Sequence, residues 1–213
     1  MPKNINKIVK VLITSDFFLN LGWGLLSPVF ALFVLEKITY GNMSKAAEVA
    51  GLAALFYWIS KSFIEIPIGR FLDKRNGEKD DFWFMTIGTF VTAFVPIGYL
   101  FSTAPWHVYF FQVIHAVGMA MVLPSWLAIF TRHIDKGKEA FEWSMETTSI
   151  GAGAGIAGGL GGVMASLLGF KVLFIFVSVL TFISALLLLF VKNNISTKGD
   201  GFKGTMEKPV VEP

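Results

Sequence analysis

The sequence predicts an all-α membrane protein with six transmembrane helices, on three observations. Charged residues make up 15% of the 213-residue chain, against about 25% in soluble domains. Mean hydropathy is +0.63, more apolar surface than one small globular core can hide. The apolar residues also gather into six long runs between Val11 and Val191, each able to supply the roughly 20 residues with which a helix crosses about 30 Å of hydrocarbon. Only helices and closed barrels satisfy their backbone in lipid, and the alternation of barrel strands is absent.

The spans are predicted at 9–35, 47–72, 82–102, 107–131, 140–167 and 170–191, after a short amino terminus, 1–8. The first run follows Lys3, Lys7 and Lys10 like a signal peptide, but it lasts too long, contains Asp16 and lacks a small-residue cleavage site, so it is expected to stay. The tail, 192–213, combines Asn, Ser, Gly and Pro with mixed charge. It holds too little apolar content to pack and is expected to be disordered.

Basic residues set the orientation. Lys3, Lys7, Lys10, the 70–79 link, the 132–138 link and the lysines of the tail fall on one side, and only Lys37, Lys45 and Lys171 on the other. The positive-inside rule then makes both termini cytoplasmic, in a cell (inner) membrane. The pI of about 9.1 is therefore topological, and no nucleic-acid partner is expected. The chain has no cysteine and three scattered histidines, so no metal site and no cofactor are expected. No nucleophile, base and orienting acid share a recognisable spacing, which argues against an enzyme.

Polar residues sort the spans. The third and sixth carry no ionisable side chain in their interiors and are expected to face lipid. In span one Asp16, Asn20, Trp23 and Ser27 share one helical face. Span four adds Gln112 and His115, and span five opens with Glu142 and Glu146. An intramembrane charge costs at least about 2.5–3.5 kcal/mol, so such residues usually face a bundle interior or a cavity. Asp16, Asn20, Trp23, Gln112 and His115 are the candidate cavity lining, with buried polar packing as the alternative. Lys61 and Glu65, one turn apart, read as an internal ion pair or a gate. Glu146 reads as a proton carrier or as an acid favouring a helix N-terminus. Gly151, Gly155 and Gly159 recur every fourth residue, with Gly158 and Gly162 on an adjoining line. That is a helix-packing pattern. Pro28, Pro67, Pro96 and Pro124 permit bends in spans one to four.

The link after span two carries Gly69, Asp73, Lys74, Arg75 and Gly77. It resembles motif A of the major facilitator superfamily, G-x-x-x-D-[RK]-x-G-[RK]-[RK], with the second glycine one residue late and Glu78 in place of a basic residue. The run from Leu21 to Val29, with Gly22, Gly24 and Pro28, is similar to the first helix of many members. In span four, Gln112 stands where the family often has an arginine. In span five, Ala157 to Gly162 is similar to the antiporter pattern without its proline.

The family normally has twelve spans in two six-helix halves of one orientation, and transporters of this superfamily are among the standard cases of internal repeats. The resemblance thus implies a half bundle completed by a parallel homodimer. It implies that helices one and four line a cavity, that two and five meet the other half, and that Asp73 approaches the start of the partner's span five. The function so implied is a half-size secondary transporter for a small organic solute, working by alternating access, with proton coupling left open. Three other readings stay open: a non-transporting membrane assembly subunit, one half of a heterodimeric transporter, and the first half of a longer protein.

Overall fold

The computed structural model describes residues 5–74 and 77–195. Lys3, Arg75 and the tail from 196 onward lie outside the described residues. Helix α1 spans Lys7–Ile38, α2 Met43–Asp73, α3 Glu78–Leu100 and α4 Pro105–His133. The last, α5, covers Glu139–Leu189 and is followed by a 3₁₀ turn at Lys192–Asn194. These five helices are long and apolar enough to cross a membrane.

Local chemistry sets their ends. The Asn6 side chain accepts from the Ile8 N–H at 2.9 Å, and Asn42 accepts from the Lys45 N–H at 3.0 Å. Each satisfies a donor that the first helical turn leaves free. Pro105 opens α4, where its missing N–H costs nothing. Gly77 precedes α3 at φ +148°, ψ +156°, a conformation essentially reserved for glycine.

Two helices are interrupted. At Pro28, α1 passes through a 3₁₀ turn, Ser27–Val29, and it ends in a π turn, Val34–Ile38. Proline removes one backbone donor and clashes with the preceding turn. By contrast Pro67, Pro96 and Pro124 are carried inside α2, α3 and α4. In α5, Gly169 has φ +77° and ψ +166° and divides the helix into a first arm, 139–168, and a second, 170–189. The two arms run in opposite directions along α1. A Cβ on Gly153 would approach Phe17 and one on Gly161 would meet the Leu25 backbone, so the first arm is parallel to α1. Ser15 bonds Ser184 whereas Gly22 lies against Val177, so the second arm is antiparallel.

Packing follows small residues. The contact of α1 with the first arm is made at Gly24, Gly153, Ala157 and Gly161. Where α3 crosses α4, a Cβ on Gly88 would lie 2.6 Å from the Gly118 carbonyl oxygen. Close backbone approach of this kind replaces the hydrophobic drive that lipid does not provide. Buried hydroxyls complete the joints: Ser178 donates to the Ala93 carbonyl at 2.6 Å, linking the second arm to α3.

The exposed side chains of α3 and the second arm include Trp83, Ile87, Phe94, Phe176, Val179 and Phe182. This flank is apolar, as expected for a lipid face. Helix α2 exposes Phe63 and Ile66, and the first arm exposes Leu160 beside its glycines.

Candidate functional site

Trp23 and His115 meet face to face, their ring centroids 3.7 Å apart and their planes 7° off parallel. Tyr57 of α2 covers the same imidazole with its centroid at 4.8 Å. These rings wall a cavity of about 340 Å³ between α1, α2 and α4, which Gln112, Ser27, Phe30 and Trp58 also line. Tyr99 reaches it from α3. The position follows from local sequence: the 3₁₀ turn at Pro28 opens α1 next to Trp23, and Gln112 and His115 share a face one turn apart on α4.

Two residues that line the cavity each carry a polar atom closed to solvent and without a partner among the described residues. The Trp23 indole nitrogen and the Tyr99 hydroxyl are buried without a hydrogen bond. Among the described residues, no Asp, Glu, Lys or Arg lines the cavity.

Asp16 and Asn20 lie elsewhere. Asn20 donates to an Asp16 carboxylate oxygen at 3.0 Å and to the Asp16 backbone carbonyl at 2.9 Å. The Asp16 carboxyl lies near that of Glu146, from the first arm of α5. Glu146 is buried, and its Oε2 has no donor among the described residues. Two ionised carboxylates are acceptors alone and repel each other at short range, so neighbouring carboxyls suit a shared proton. The five candidate cavity residues therefore divide: Trp23, Gln112 and His115 line one cavity, while Asp16 and Asn20 join Glu146 in an acid pair nearer the amino-terminal end.

Lys61 and Glu65 pair with each other, Nζ to Oε2 at 2.6 Å, and the ammonium also lies 5.7 Å from the Trp58 ring centre. Within the protomer this is an internal ion pair. Among the candidate packing glycines, a Cβ on Gly151, Gly155, Gly158, Gly159 or Gly162 would meet nothing within 4 Å. Intramolecular packing uses the neighbouring line, Gly153, Ala157 and Gly161, instead.

The family model for the Major Facilitator Superfamily matches residues 12–212. The chain belongs to that superfamily. A search of the curated proteins gives no match. Membership of the Major Facilitator Superfamily, with several apolar helices, makes this a multi-pass membrane protein of a transporter family.

Of the residues that resemble motif A, Gly69 lies near Pro124 of α4. Asp73 ends α2, exposed and with Lys74 beside it. Arg75 lies outside the described residues. Near the motif is a charged cluster of which the polar sorting of the spans found Glu142 alone. Arg132 donates to the buried carboxylate of Asp81, and His133 Nδ1 lies 3.5 Å from Glu78 Oε1. Glu142 is fully buried and accepts from the Asp135 N–H at 3.3 Å. The signal was present in the sequence as acids opening α3 and bases closing α4, the pattern that also suits helix dipoles. Tyr57, Phe30 and Tyr99 were missed too, because an aromatic ring in an apolar run is indistinguishable from packing until its neighbours are known.

Proposed function

We propose that the chain is a half-size secondary transporter that moves a small organic solute as a parallel homodimer, with both termini on the cytoplasmic side of the cell membrane. The observation that carries this reading is the ring-walled cavity between α1, α2 and α4, away from the apolar flank of α3 and the second arm. A volume of about 340 Å³ falls within the usual small-molecule range of about 300–1,000 Å³. The reversal at Gly169 supports counting the two arms of α5 as separate crossings, six in all, which returns the chain to its starting side. Two six-helix units of like orientation form the superfamily's usual assembly, and rocking one against the other around a midplane site gives alternating access.

The Asp16–Glu146 pair is the proposed proton site. It sits between α1 and the first arm of α5, so gain or loss of its proton changes how those helices hold together. Asp73, at the end of α2, is proposed to latch the start of the partner's α5, where free N–H groups and the helix dipole attract a carboxylate.

The test is reconstitution of the purified chain in vesicles with an imposed proton gradient and a panel of small organic solutes. Gradient-dependent uptake that Trp23→Ala and His115→Ala each abolish is the expected result. Failure to accumulate any solute, with a protein that is folded and dimeric in the same vesicles, sinks the transporter reading in favour of an assembly subunit.

A further inference from the structure

We propose that α3 and the second arm of α5 hold the headgroup of an anionic phospholipid between Lys79 and Lys192. The inference goes beyond the transporter reading and does not need it, since a lipid can sit on this flank whether or not the chain carries a solute.

Two helices show the same gradient. On α3, Lys79, Trp83 and Ile87 are exposed and follow at four-residue steps, so they share a face at intervals of about 6 Å along the axis. Basic, amphipathic and apolar side chains thus succeed one another in the order in which a lipid presents phosphate, interface and acyl chain. The headgroup layer is about 5–7 Å deep on each side of the hydrocarbon, close to one such step. The second arm repeats the order from its own end, with Lys192, Leu189, Leu186 and Phe182 exposed.

The two gradients lie side by side. The Lys192 ammonium is 5.3 Å from the centre of the Trp83 ring, and deeper in the bundle Phe90 packs on Phe182 with ring centroids 5.2 Å apart. Behind them Ile8 of α1, Phe82 and Leu188 belong to one buried cluster, which fixes the two helix ends to each other.

Charge argues for an anion. An ammonium carries three N–H donors, and an aromatic face replaces only part of its hydration. Among the described residues neither Lys79 nor Lys192 has a carboxylate partner. The acids of the same α3 turn are engaged elsewhere: Arg132 donates to Asp81, His133 lies 3.5 Å from Glu78, and Asp80 is not free either. Basic residues between helix ends at a membrane surface are where anionic headgroups collect.

The apolar continuation argues for a lipid over a free phosphate. Ile87, Phe94, Val179 and Phe182 carry exposed surface away from the lysines, and an acyl chain covers such surface where a soluble anion does not.

The test is lipid binding to the full chain in detergent micelles, followed by native mass spectrometry, with phosphatidylglycerol, phosphatidylcholine and glycerol 3-phosphate as probes. Phosphatidylglycerol is expected to bind most tightly. Lys79→Ala and Lys192→Ala are each expected to weaken it about fivefold and to leave phosphatidylcholine unchanged, while Lys192→Arg retains it. Lys171→Ala removes the same charge from the exposed start of the same arm and is expected to change binding by less than about twofold. An equal loss in Lys171→Ala means diffuse attraction to a basic protein and overturns the proposal. Phosphatidylcholine bound as tightly as phosphatidylglycerol overturns it too, as does a wild-type chain that retains neither. Glycerol 3-phosphate that displaces the lipid at equal concentration makes a free phosphate the ligand and overturns the lipid assignment.

Discussion

Asp16 and Trp23 stand seven residues apart on one face of α1, which puts about 10 Å of helix axis between them. That rise separates two chemistries. Trp23 stacks on His115 of α4, and Asp16 lies near Glu146 of α5. Spacing in the sequence showed the shared face, because a helix repeats every 3.6 residues whatever surrounds it. Depth along that face is divided by the neighbouring helices, and no pattern within α1 records them. If the acid pair holds the transported proton, Glu146→Gln removes proton-driven uptake and leaves solute binding in the ring-walled cavity within about twofold, since Glu146 does not line it. Asp16→Asn should match it. Uptake under an imposed gradient, set beside equilibrium binding for the same variants, gives the comparison. Equal loss of both quantities would mean that the pair is structural.

At the scale of the helix, glycine carries two meanings in α5 that its spacing alone does not distinguish. Gly161 faces the Leu25 backbone and Gly155 faces no other helix of the protomer. The recurrence of Gly151, Gly155 and Gly159 was the more visible pattern, yet the line that packs inside the protomer is the broken one, Gly153, Ala157 and Gly161. A side chain at 161 must displace backbone, which cannot rotate away as a side chain can. Overpacking of this kind costs about 1–3 kcal/mol, so Gly161→Val should lower the thermal midpoint of the detergent-solubilised protein by several degrees, while Gly155→Val leaves the isolated protomer nearly unchanged. Gly77 belongs to the same scale. At φ +148°, Gly77→Ala should cost about 1–3 kcal/mol, read as a lower midpoint, with Gly51→Ala inside α2, where a Cβ meets nothing within 4 Å, as the control. The breaks in the helices were more legible than the contacts. Pro28 interrupts its helix whereas Pro67, Pro96 and Pro124, which lack the same donor, do not, and the reversal at Gly169 falls between the spans predicted at 140–167 and 170–191.

For the whole molecule, the unequal flanks bear on the assembly. The flank of α3 and the second arm is apolar and suits lipid. The flank of α2 and the first arm combines open glycines at 151, 155, 158, 159 and 162 with the Lys61–Glu65 pair and exposed Phe63 and Ile66. Glycines that meet nothing at home allow another helix to approach closely, and in the superfamily's two-half plan the second and fifth helices are the ones that meet the other half. Composition and motif made the family readable, whereas the open glycine face of α5 became visible only once Gly161 and its neighbours were accounted for within the chain. The assembly prediction therefore sets two substitutions on one helix against each other. In native lipid, Gly155→Val together with Gly159→Val should shift the mass from two chains to one and abolish crosslinking through a cysteine introduced at Gly151, with the thermal midpoint of the protomer retained. Gly161→Val should lower that midpoint and keep the dimer wherever the chain still folds. A double variant that stays dimeric and transports normally would place the partner on another flank. A wild-type chain that is stably monomeric in native lipid and still transports would remove the need for a partner altogether.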